Sequence, residues 1–421
     1  MKSKTLAYIG TYAKERKRLL QINVSANWGS HGRIAEDIGL LAITKGWESY
    51  IAYGRMANPS NSHLIKIGNK CDIVWHGIGS RLSDNHGLAS RGATCKLVNV
   101  IQSIQPDVIH LHNVHGYYLN YPTLFDFLVQ YNRPVVWTLH DCWSFTGHCA
   151  YFTYTKCDKW KTGCFDCPNK NNYPASYLLD RSRRNYKLKK EYFNSLNKLT
   201  LVPVSEWLYD LLSESFLSDI PRKCIHNGID LDIFKRNNDL QSICPNQKVV
   251  LGVCSVWDFR KGLKDFIELR HWLSEYYIIV LIGLTKQQIK ELPDGIVGIE
   301  RTNDVQELAA YYSRADVFVN PTYEDNFPTT NLEALGCGTP VITYKTGGSP
   351  EAINQKTGFA IECGDIIALS DAIKRICNSD CRHILRRDCR ERAERCFDKV
   401  KCYQEYFKLY DSLIGGNITS I

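Results

Sequence analysis

Short apolar runs alternate along the chain with longer stretches whose apolar positions recur at helical spacing. The run at 19–24 precedes a helical pattern over 32–45 that ends at Gly46, and a second apolar run follows at 48–53. Similar runs predict further buried strands at 107–111, 134–139, 199–204, 248–254, 277–283, 316–320 and 340–344. Nearly continuous Val, Ile and Leu between helices is typical of parallel sheets. The pattern therefore predicts an α/β fold.

The alternation of strands and helices stops at a polar stretch, 235–247, and restarts at Lys248. A chain of 421 residues is longer than one ordinary domain, which has about 100–200 residues. We therefore predict two doubly wound, Rossmann-like domains, at 1–240 and 241–397. A final helix within 398–421 is expected to pack back on the first domain. Ligands of such domains lie outside the carboxyl ends of the strands, so we expect the site in a cleft between the domains.

The composition is that of an ordinary globular protein, with 44% hydrophobic and 23% charged residues, which excludes disordered and fibrous classes. No stretch approaches the roughly 18 apolar residues that a membrane-spanning helix needs. The apolar patch at 6–9 is too short for the core of a signal peptide. We therefore predict a cytoplasmic protein whose 17 cysteines are mostly reduced thiols.

The net charge of +8 permits an anionic partner. The motifs of nucleic-acid-binding families are absent, so nucleic acid is not an expected partner. The expected partners are nucleotide diphosphates or anionic lipid headgroups. A basic surface that binds no partner remains the alternative interpretation. A basic helix predicted at 180–193 interleaves aromatic and apolar residues with its charges. It is expected either to contact an anionic membrane peripherally or to present a solvated face.

The segment from Ala315 to Tyr344 predicts a strand, a loop, a short helix over 328–336 and another strand. Glu333 lies within this helix, and Asp325 precedes it by eight positions. A helix start offers unpaired N–H groups and a positive dipole. Carboxylates beside it can accept hydrogen bonds from sugar and ribose hydroxyls, at about 1.5–3 kcal/mol for each bond to a charged group.

This segment resembles the acidic signature of retaining family 4 glycosyltransferases, which have the GT-B fold, and its EDNFP sequence resembles the colanic-acid and exopolysaccharide subgroup. The resemblance implies that Glu333 binds the ribose and that Asp325 or Glu324 binds the sugar of a nucleoside diphosphate sugar. The family has a glycine after the phenylalanine, where this chain has Pro328. The remaining residues of this loop expected to contact the sugar donor are Phe327, Thr329 and Thr330.

A basic pair after the strand at 248–254 resembles the family's RKG loop. The resemblance implies that Lys261 neutralises the pyrophosphate and that Arg260 assists it, since negative charge develops there as the glycosidic bond breaks. The family often has an arginine a few residues earlier, where this chain has Ser255. A solvated basic pair is the alternative interpretation.

Glycine-bearing turns occur at two further places. Gly29, Ser30 and Gly32 precede a predicted helix and, by resemblance, close over the pyrophosphate. Gly347 and Gly348 allow close backbone approach, and similar turns in the family lie against the sugar donor. A simple turn between strand and helix is the alternative for both.

Histidines end two predicted strands of the first domain. By resemblance, His140 lies near the donor sugar, where a neutral imidazole accepts or donates a hydrogen bond and helps to exclude water; core packing is the alternative. His112 and His115 have a spacing that metal sites use, but no acidic ligand pattern accompanies them. No carboxylate of this domain is evident as a positioned nucleophile.

A cysteine-rich insertion is predicted at about 142–170. Cys149, Cys157, Cys164 and Cys167 end in a C-x2-C pair, which in a cytosolic protein indicates a structural tetrahedral zinc site. Disulfides and free thiols remain alternatives, and His148 is a possible substitute ligand.

The resemblance implies a glycosyltransferase with catalytic residues His140, Asp325 and Glu333. It is expected to move a sugar, with retention, from a nucleoside diphosphate sugar to a glycan or lipid-linked acceptor of bacterial surface polysaccharide. No cofactor is expected for catalysis. A GT-B nucleotide-sugar epimerase and a non-catalytic nucleotide-sugar-binding scaffold remain alternatives from other classes.

Overall fold

The computed structural model describes residues 16–237 and 246–415, which form two lobes, each built on a six-stranded sheet. The predicted boundary at 240–241 and the apolar patch at 6–9 lie outside the described residues. The strands of the first lobe are β1 (Arg18–Asn23), β2 (Glu48–Tyr53), β3 (His63–Lys66), β4 (Val108–Leu111), β5 (Val135–Leu139) and β6 (Leu199–Pro203). Those of the second are β7 (Lys248–Val253), β8 (Tyr277–Ile282), β9 (Ile296–Ile299), β10 (Val317–Asn320), β11 (Val341–Tyr344) and β12 (Gly358–Ile361).

Both sheets have the same doubly wound topology. The strand orders are β3-β2-β1-β4-β5-β6 and β12-β11-β10-β7-β8-β9, and every pairing is parallel. The order reverses between β1 and β4 in the first sheet and between β7 and β10 in the second. The predicted pair of Rossmann-like sheets is therefore confirmed, and each reversal marks a crevice for a ligand.

Helices connect the strands. In the first lobe they are α1 (Gly29–Thr44), α2 (Lys70–Ser83), α3 (Arg91–Ile104), α4 (Tyr121–Tyr131), α5 (Ser182–Phe193) and α6 (Glu206–Ser213). In the second they are α7 (Leu263–Trp272), α8 (Lys286–Lys290), α9 (Val305–Arg314), α10 (Thr329–Gly336), α11 (Ile366–Cys377) and α12 (Arg382–Cys396). None of these, nor any other helix in the described ranges, is both long and apolar enough to cross a bilayer.

The last helix, α13 (Lys399–Ile414), returns to the first lobe. Its aromatic side chains, among them Tyr406 and Tyr410, pack in one buried cluster with Leu19 of β1 and Ile38 of α1. Lys399 lies at the crossing, where its Nζ is 2.8 Å from Asp37 of α1 and 2.8 Å from Asp230. The chain thus crosses between the lobes and is held to both of them.

Three strands were not predicted, and all three lie at sheet edges: β3, β9 and β12. Each has four residues, and each is partly exposed, most clearly β3, where three of the four are exposed. An edge strand packs against few neighbours and needs no continuous apolar run, so its sequence carries a weak signal.

Candidate active site

A cleft of about 1080 Å³ separates the two lobes. The loops that follow β1 and β5 line it from the first lobe, and those that follow β7 and β10 line it from the second. These loops leave the carboxyl ends of parallel strands, where α/β folds bind their ligands. The predicted residues that line the cleft are Gly29, Ser30, His140, Arg260, Lys261, Glu324, Asp325, Phe327, Thr329, Thr330 and Glu333.

Lys261 and Asp325 form an ion pair within the cleft. Lys261 Nζ donates to Asp325 Oδ2 at 2.6 Å, and Asp325 Oδ1 accepts from the backbone N–H of Asn326 at 3.0 Å. Burial alone lowers the pKa of the Lys261 amine, but the carboxylate outweighs it and the pKa is raised. Lys261 therefore carries a full positive charge within the cleft.

Glu324, which lies beside Arg260, connects the lobes instead. Arg260 Nη2 donates to Asp258 Oδ2 at 2.8 Å, and its Nη1 lies 4.0 Å from Glu324. Glu324 Oε1 accepts from the backbone N–H of Tyr154, in the first-lobe segment between β5 and α5, at 2.8 Å. Glu324 is therefore used in a contact between the lobes, whereas Asp325 lies beside Lys261 within the cleft.

Glu333 is buried one turn into α10 and faces the same cleft. Its Oε2 accepts from the hydroxyl of Tyr312 at 3.0 Å. Loss of water raises the pKa of Glu333, and the charge of Arg33, which α1 brings across from the first lobe, works against that shift. The hydroxyl of Tyr312 thus helps to hold the carboxylate in place, and the carboxylate can accept from further donors such as hydroxyls.

The first turn of α10 faces the cleft. Pro328 is the extended N-cap residue, and no side chain caps the helix. The first amides of a helix have no intrahelical acceptor, so those of Thr329 and Thr330 are oriented for an anion. Phe327, just before them, stacks on the ring of His226 with 4.7 Å between centroids and fixes the entry of the chain into α10.

The predicted glycine turns divide into two groups. Gly29, with φ +69°, and Ser30 line the cleft where α1 begins. Gly32 is inside the first turn of α1 instead of before it, and a Cβ there would lie 2.9 Å from Ser25 Oγ. The prediction that Gly29, Ser30 and Gly32 precede the helix is therefore wrong, because α1 begins at Gly29, three residues before its apolar pattern, and all three residues lie in its first turn.

Gly347 and Gly348 are absent from the described residues that line the cleft. A Cβ on Gly347 would lie 1.7 Å from the carbonyl oxygen of Asp325, and the N–H of Gly348 donates to the carbonyl of Asn326 at 2.7 Å. The turn lies against the backbone of the acidic loop. Its glycines therefore position Asp325 rather than line the cleft, and a single 3-10 turn, Ser349–Ala352, follows them.

His140 lines the cleft from the first lobe, as expected. Its Nε2 is 3.2 Å from His112 Nδ1, and the two rings stack. Burial, assisted by the neighbouring histidines, lowers the pKa of His140 well below its usual value. The imidazole is therefore neutral and suited to hydrogen bonding with a sugar hydroxyl.

Asp141 is a carboxylate that the first lobe holds in position at the cleft. It lines the cleft, its Oδ2 lies 2.9 Å from His115 Nε2, and its Oδ1 accepts from the N–H of Trp143 at 2.9 Å. Burial raises the pKa of Asp141, but His115 and the backbone bond outweigh it, so that the pKa is lowered. The sequence did not reveal this because His115 and Asp141 follow different strands.

Several cleft residues were missed altogether. Arg33 and Asn113 line it from the first lobe, and Glu300, Arg301 and Thr302 line it from the second. The last three follow β9, an edge strand that the sequence pattern did not predict. Once β9 is known to be a strand, its carboxyl end marks them as candidates for contact with the nucleobase.

The four cysteines of the insertion line one small cavity. A hydrogen bond to Cys167 raises the pKa of Cys149 and lowers that of Cys167 to about 7, and Cys164 Sγ accepts from the N–H of Gly147 at 3.1 Å. Tetrahedral zinc with bonds of about 2.3 Å needs sulfurs about 3.8 Å apart. The groups that bring three ligand atoms within 4.8 Å of one another in the described chain are instead Glu206, Cys224 and His226.

Structural zinc at the cysteines thus requires the sulfurs to move together, and it stays a prediction. Elemental analysis of freshly purified protein is expected to give about one zinc per chain, and a Cys164→Ser, Cys167→Ser variant is expected to lose it, because two of four ligands are removed. A Cys71→Ser, Cys95→Ser variant, altered at two exposed cysteines elsewhere in the chain, is the control. Wild-type protein without metal would contradict the prediction.

Two family models together match most of the chain. Residues 45–233 match the model described as Glycosyltransferase Family 4, and residues 247–379 match the model described as Glycosyl transferases group 1. The first covers most of the lobe that carries His140 and the second covers the lobe that carries Lys261, Asp325 and Glu333.

The chain is a glycosyltransferase.

Among curated proteins, this glycosyltransferase is 24% identical over 411 residues to the putative colanic acid biosynthesis glycosyl transferase WcaC of Escherichia coli (strain K12), covering 94% of this chain and 100% of the relative. Among solved structures it resembles a sucrose-phosphate synthase from Thermosynechococcus elongatus, with a TM-score of 0.71, 18% identity and coverage of 96% of this chain and 100% of the other.

The enzyme also resembles Anabaena HepE in complex with UDP and glucose, with a TM-score of 0.66 and 15% identity over 94% of this chain and 100% of the other. At these identities the structural likeness establishes the GT-B fold. The predicted fold and enzyme class are therefore confirmed.

Proposed function

We propose that this glycosyltransferase moves a sugar, with retention of its anomeric configuration, from a nucleoside diphosphate sugar to a hydroxyl of a glycan or lipid-linked acceptor in bacterial surface polysaccharide synthesis. The observation that carries the proposal is the convergence of Lys261, Asp325, Glu333 and the start of α10 on one side of the interlobe cleft. The relative WcaC, named for colanic acid biosynthesis, supports the class of product, and HepE in complex with UDP and glucose supports the class of sugar donor.

The proposed binding mode follows from charge and hydrogen bonding. The diphosphate lies between Lys261 and the first amides of α10, where positive charge faces the bond that breaks. The ribose hydroxyls donate to Glu333, and the sugar lies between Asp325 and His140, with the acceptor entering from the side of Asp141. The leaving phosphate takes the proton of the acceptor hydroxyl on the same face from which it departs, which retains the configuration.

In this mechanism Asp141 orients the acceptor and does not bond to the sugar. Asp141→Asn is expected to lower kcat about 10- to 150-fold, because one hydrogen bond to a charged group is weakened. The product, followed by proton NMR of its anomeric signal, is expected to keep the configuration of the donor in both proteins. A covalent sugar on Asp141 in the wild type, or a complete loss of transfer in the variant, would contradict this role.

The first experiment is a thermal-shift panel of UDP-, GDP- and ADP-sugars, followed by product analysis with the sugar that binds. One nucleotide is expected to raise the melting temperature, since a ligand at 100 times its Kd adds about 2.7 kcal/mol to the stability. Products then separate the alternatives: an epimerase converts the sugar without an acceptor, and a scaffold binds it without transfer or hydrolysis. No shift with any nucleoside diphosphate sugar would overturn the proposal.

A cytoplasmic location is also part of this proposal. The described cysteines are all free thiols, a state that a reducing compartment maintains. Nucleoside diphosphate sugars and a peripheral contact with the inner face of the membrane are both consistent with that compartment. Catalysis is proposed to need no cofactor, since Lys261 and α10 supply the positive charge that the leaving group requires.

A further inference from the structure

The basic helix that the sequence predicts for membrane contact is α5, and the structure shows which of its side chains are buried and which are exposed. Tyr186 and Phe193 are buried, and so is Lys189, whose Nζ donates to the carbonyls of Trp143 and Thr146 at 2.6 and 3.0 Å. Burial lowers the pKa of Lys189 to about 7. The exposed face of α5 is charged, with Arg183, Arg184, Lys187, Lys190 and Glu191. It has cations for a membrane but no exposed apolar side chain to insert.

The neighbouring helix α2 has the opposite arrangement. Its buried residues are small or polar: His76, Gly77 and Ser80. Its apolar residues face outward at helical spacing, so they share one side of the helix. They are Val74, Trp75, Ile78 and Leu82, which are 57%, 71%, 40% and 47% exposed. An amphipathic helix normally turns its apolar side inward, so this face is unpartnered in the described chain.

A loop extends this apolar face. Tyr177, Leu178 and Leu179 are 59%, 67% and 45% exposed. The N–H of Tyr177 donates to the carbonyl of Arg81 at 2.7 Å, and that of Leu179 donates to the carbonyl of Leu82 at 3.3 Å. These bonds hold the loop against the end of α2. The α2 residues and residues 177–179 are together called the apolar ridge below.

Arginines flank the apolar ridge. Arg55 and Arg81 line a cavity of about 400 Å³ beside α2, together with Tyr117 and Tyr173. Within residues 16–237 and 246–415, no carboxylate pairs with either arginine. Arg181 and Arg184 both donate to Asn85 Oδ1, at 3.1 and 3.3 Å, just beyond the end of α2. The one acid of α2, Asp72, is occupied in the capping box at its start.

The cavity adjoins the acceptor side of the cleft. The hydroxyl of Tyr173, in its wall, lies 3.0 Å from His115 Nδ1, and the other nitrogen of the same ring lies 2.9 Å from Asp141. Asp141 lines the cleft. A group held in the cavity is therefore separated from the acceptor side of the cleft by two side chains.

We propose that the apolar ridge inserts into an anionic lipid bilayer, with the flanking arginines at the headgroups and a lipid phosphate in the cavity between Arg55 and Arg81. Protruding Trp, Leu and Tyr beside unpaired arginines match the boundary between acyl chains and anionic headgroups. Within α2 and residues 177–179 the one carboxylate is that of Asp72, so with Arg55 and Arg81 this face has a net positive charge that complements anionic headgroups. Docking in this way brings the acceptor side of the cleft to the membrane. That this side receives the acceptor rests on the proposed function, whereas the docking itself does not depend on it.

Vesicle sedimentation tests the proposal with the full chain and without any sugar donor or acceptor, so its outcome is independent of transfer. The wild type is expected to pellet with phosphatidylglycerol-containing vesicles and to pellet much less with pure phosphatidylcholine. Trp75→Ser, Leu178→Ser is expected to weaken binding at least about tenfold, since two large apolar side chains no longer enter the bilayer. Arg55→Gln, Arg81→Gln is expected to weaken it about thirtyfold on anionic vesicles, because each cation there contributes a factor of about five.

Matched controls are chosen from exposed residues elsewhere. Ile367→Ser, Val400→Ser changes two side chains that are 54% and 48% exposed in other helices, and Lys264→Gln, Lys290→Gln removes two exposed charges of the second lobe. Both are expected to bind as the wild type does. Circular dichroism and the melting temperature of each variant confirm that it is folded.

Three outcomes would overturn the proposal. The first is no binding of the wild type to anionic vesicles. The second is that a Lys187→Gln, Lys190→Gln variant loses binding while the Trp75→Ser, Leu178→Ser variant binds as the wild type does. That result would assign the contact to α5. The third is a dimer in sedimentation velocity that the ridge variant abolishes while vesicle binding persists, which assigns the ridge to a second copy of the chain.

Discussion

Replacing Lys261 with alanine is expected to lower kcat about 10²- to 10³-fold, an effect of the size seen when one positioned donor to a developing negative charge is removed. The lysine is fully charged and lies in the cleft, 2.6 Å from Asp325. Its charge matters more in the transition state than in the ground state, because negative charge grows on the leaving diphosphate. Steady-state kinetics with the identified donor measure the change.

The control for this substitution is Lys264→Ala, three positions further on in α7, where the side chain is exposed. It is expected to have wild-type kinetics. Lys261→Ala also leaves Asp325 without its cation, so its melting temperature is measured alongside. A folded Lys261→Ala enzyme with kcat within a factor of three of the wild type would remove Lys261 from the pyrophosphate site.

Glu333→Ala is expected to lower kcat/KM for the sugar donor about 30- to 1000-fold, which corresponds to about 2–4 kcal/mol of lost transition-state binding. The carboxylate is buried and has Tyr312 as one partner, so the ribose hydroxyls gain a charged acceptor that water does not weaken. Kinetics at varied donor concentration measure the effect, and Glu268→Ala, an exposed position of α7, is the control.

The Glu333→Gln variant keeps the shape of the Glu333 side chain and removes its charge, so it separates the effects of the two on donor binding. Because burial raises the pKa of Glu333, protonation begins at a higher pH than for an ordinary glutamate, and KM for the donor is expected to rise as the pH falls through that raised pKa. The glutamine side chain does not titrate in this range. The Glu333→Gln variant is therefore expected to bind the donor more weakly, with a KM that changes less as the pH falls. The same acid-side rise in both proteins would assign it to another group.

The sequence predicted what depends on local pattern. Buried central strands such as β5 and β8 have continuous apolar runs, and the acidic loop and the RKG loop have residue spacings that a resemblance can match. The edge strand β9 has neither signal, so Arg301 and its neighbours were missed at its end. Predicting these required the packing of the whole second sheet.

Positions that act through long-range contacts were also beyond the sequence. Arg33 faces Glu333 across the lobes, and Asp141 is fixed by His115, which follows another strand. Gly347 packs against the backbone of Asp325 rather than lining the cleft. In α2 the helical periodicity is clear, yet periodicity alone does not tell which side of a helix faces the core.

We propose that one diphosphate is held between the two lobes, chiefly by residues of the second lobe. A crystal structure of the enzyme with the nucleoside diphosphate that raises its melting temperature tests this most directly. We expect phosphate oxygens within hydrogen-bonding distance of Lys261 Nζ and of the first amides of α10, and both ribose hydroxyls within hydrogen-bonding distance of Glu333. A nucleotide bound outside this cleft, or in it with the ribose away from Glu333 and the phosphates away from Lys261, would contradict it.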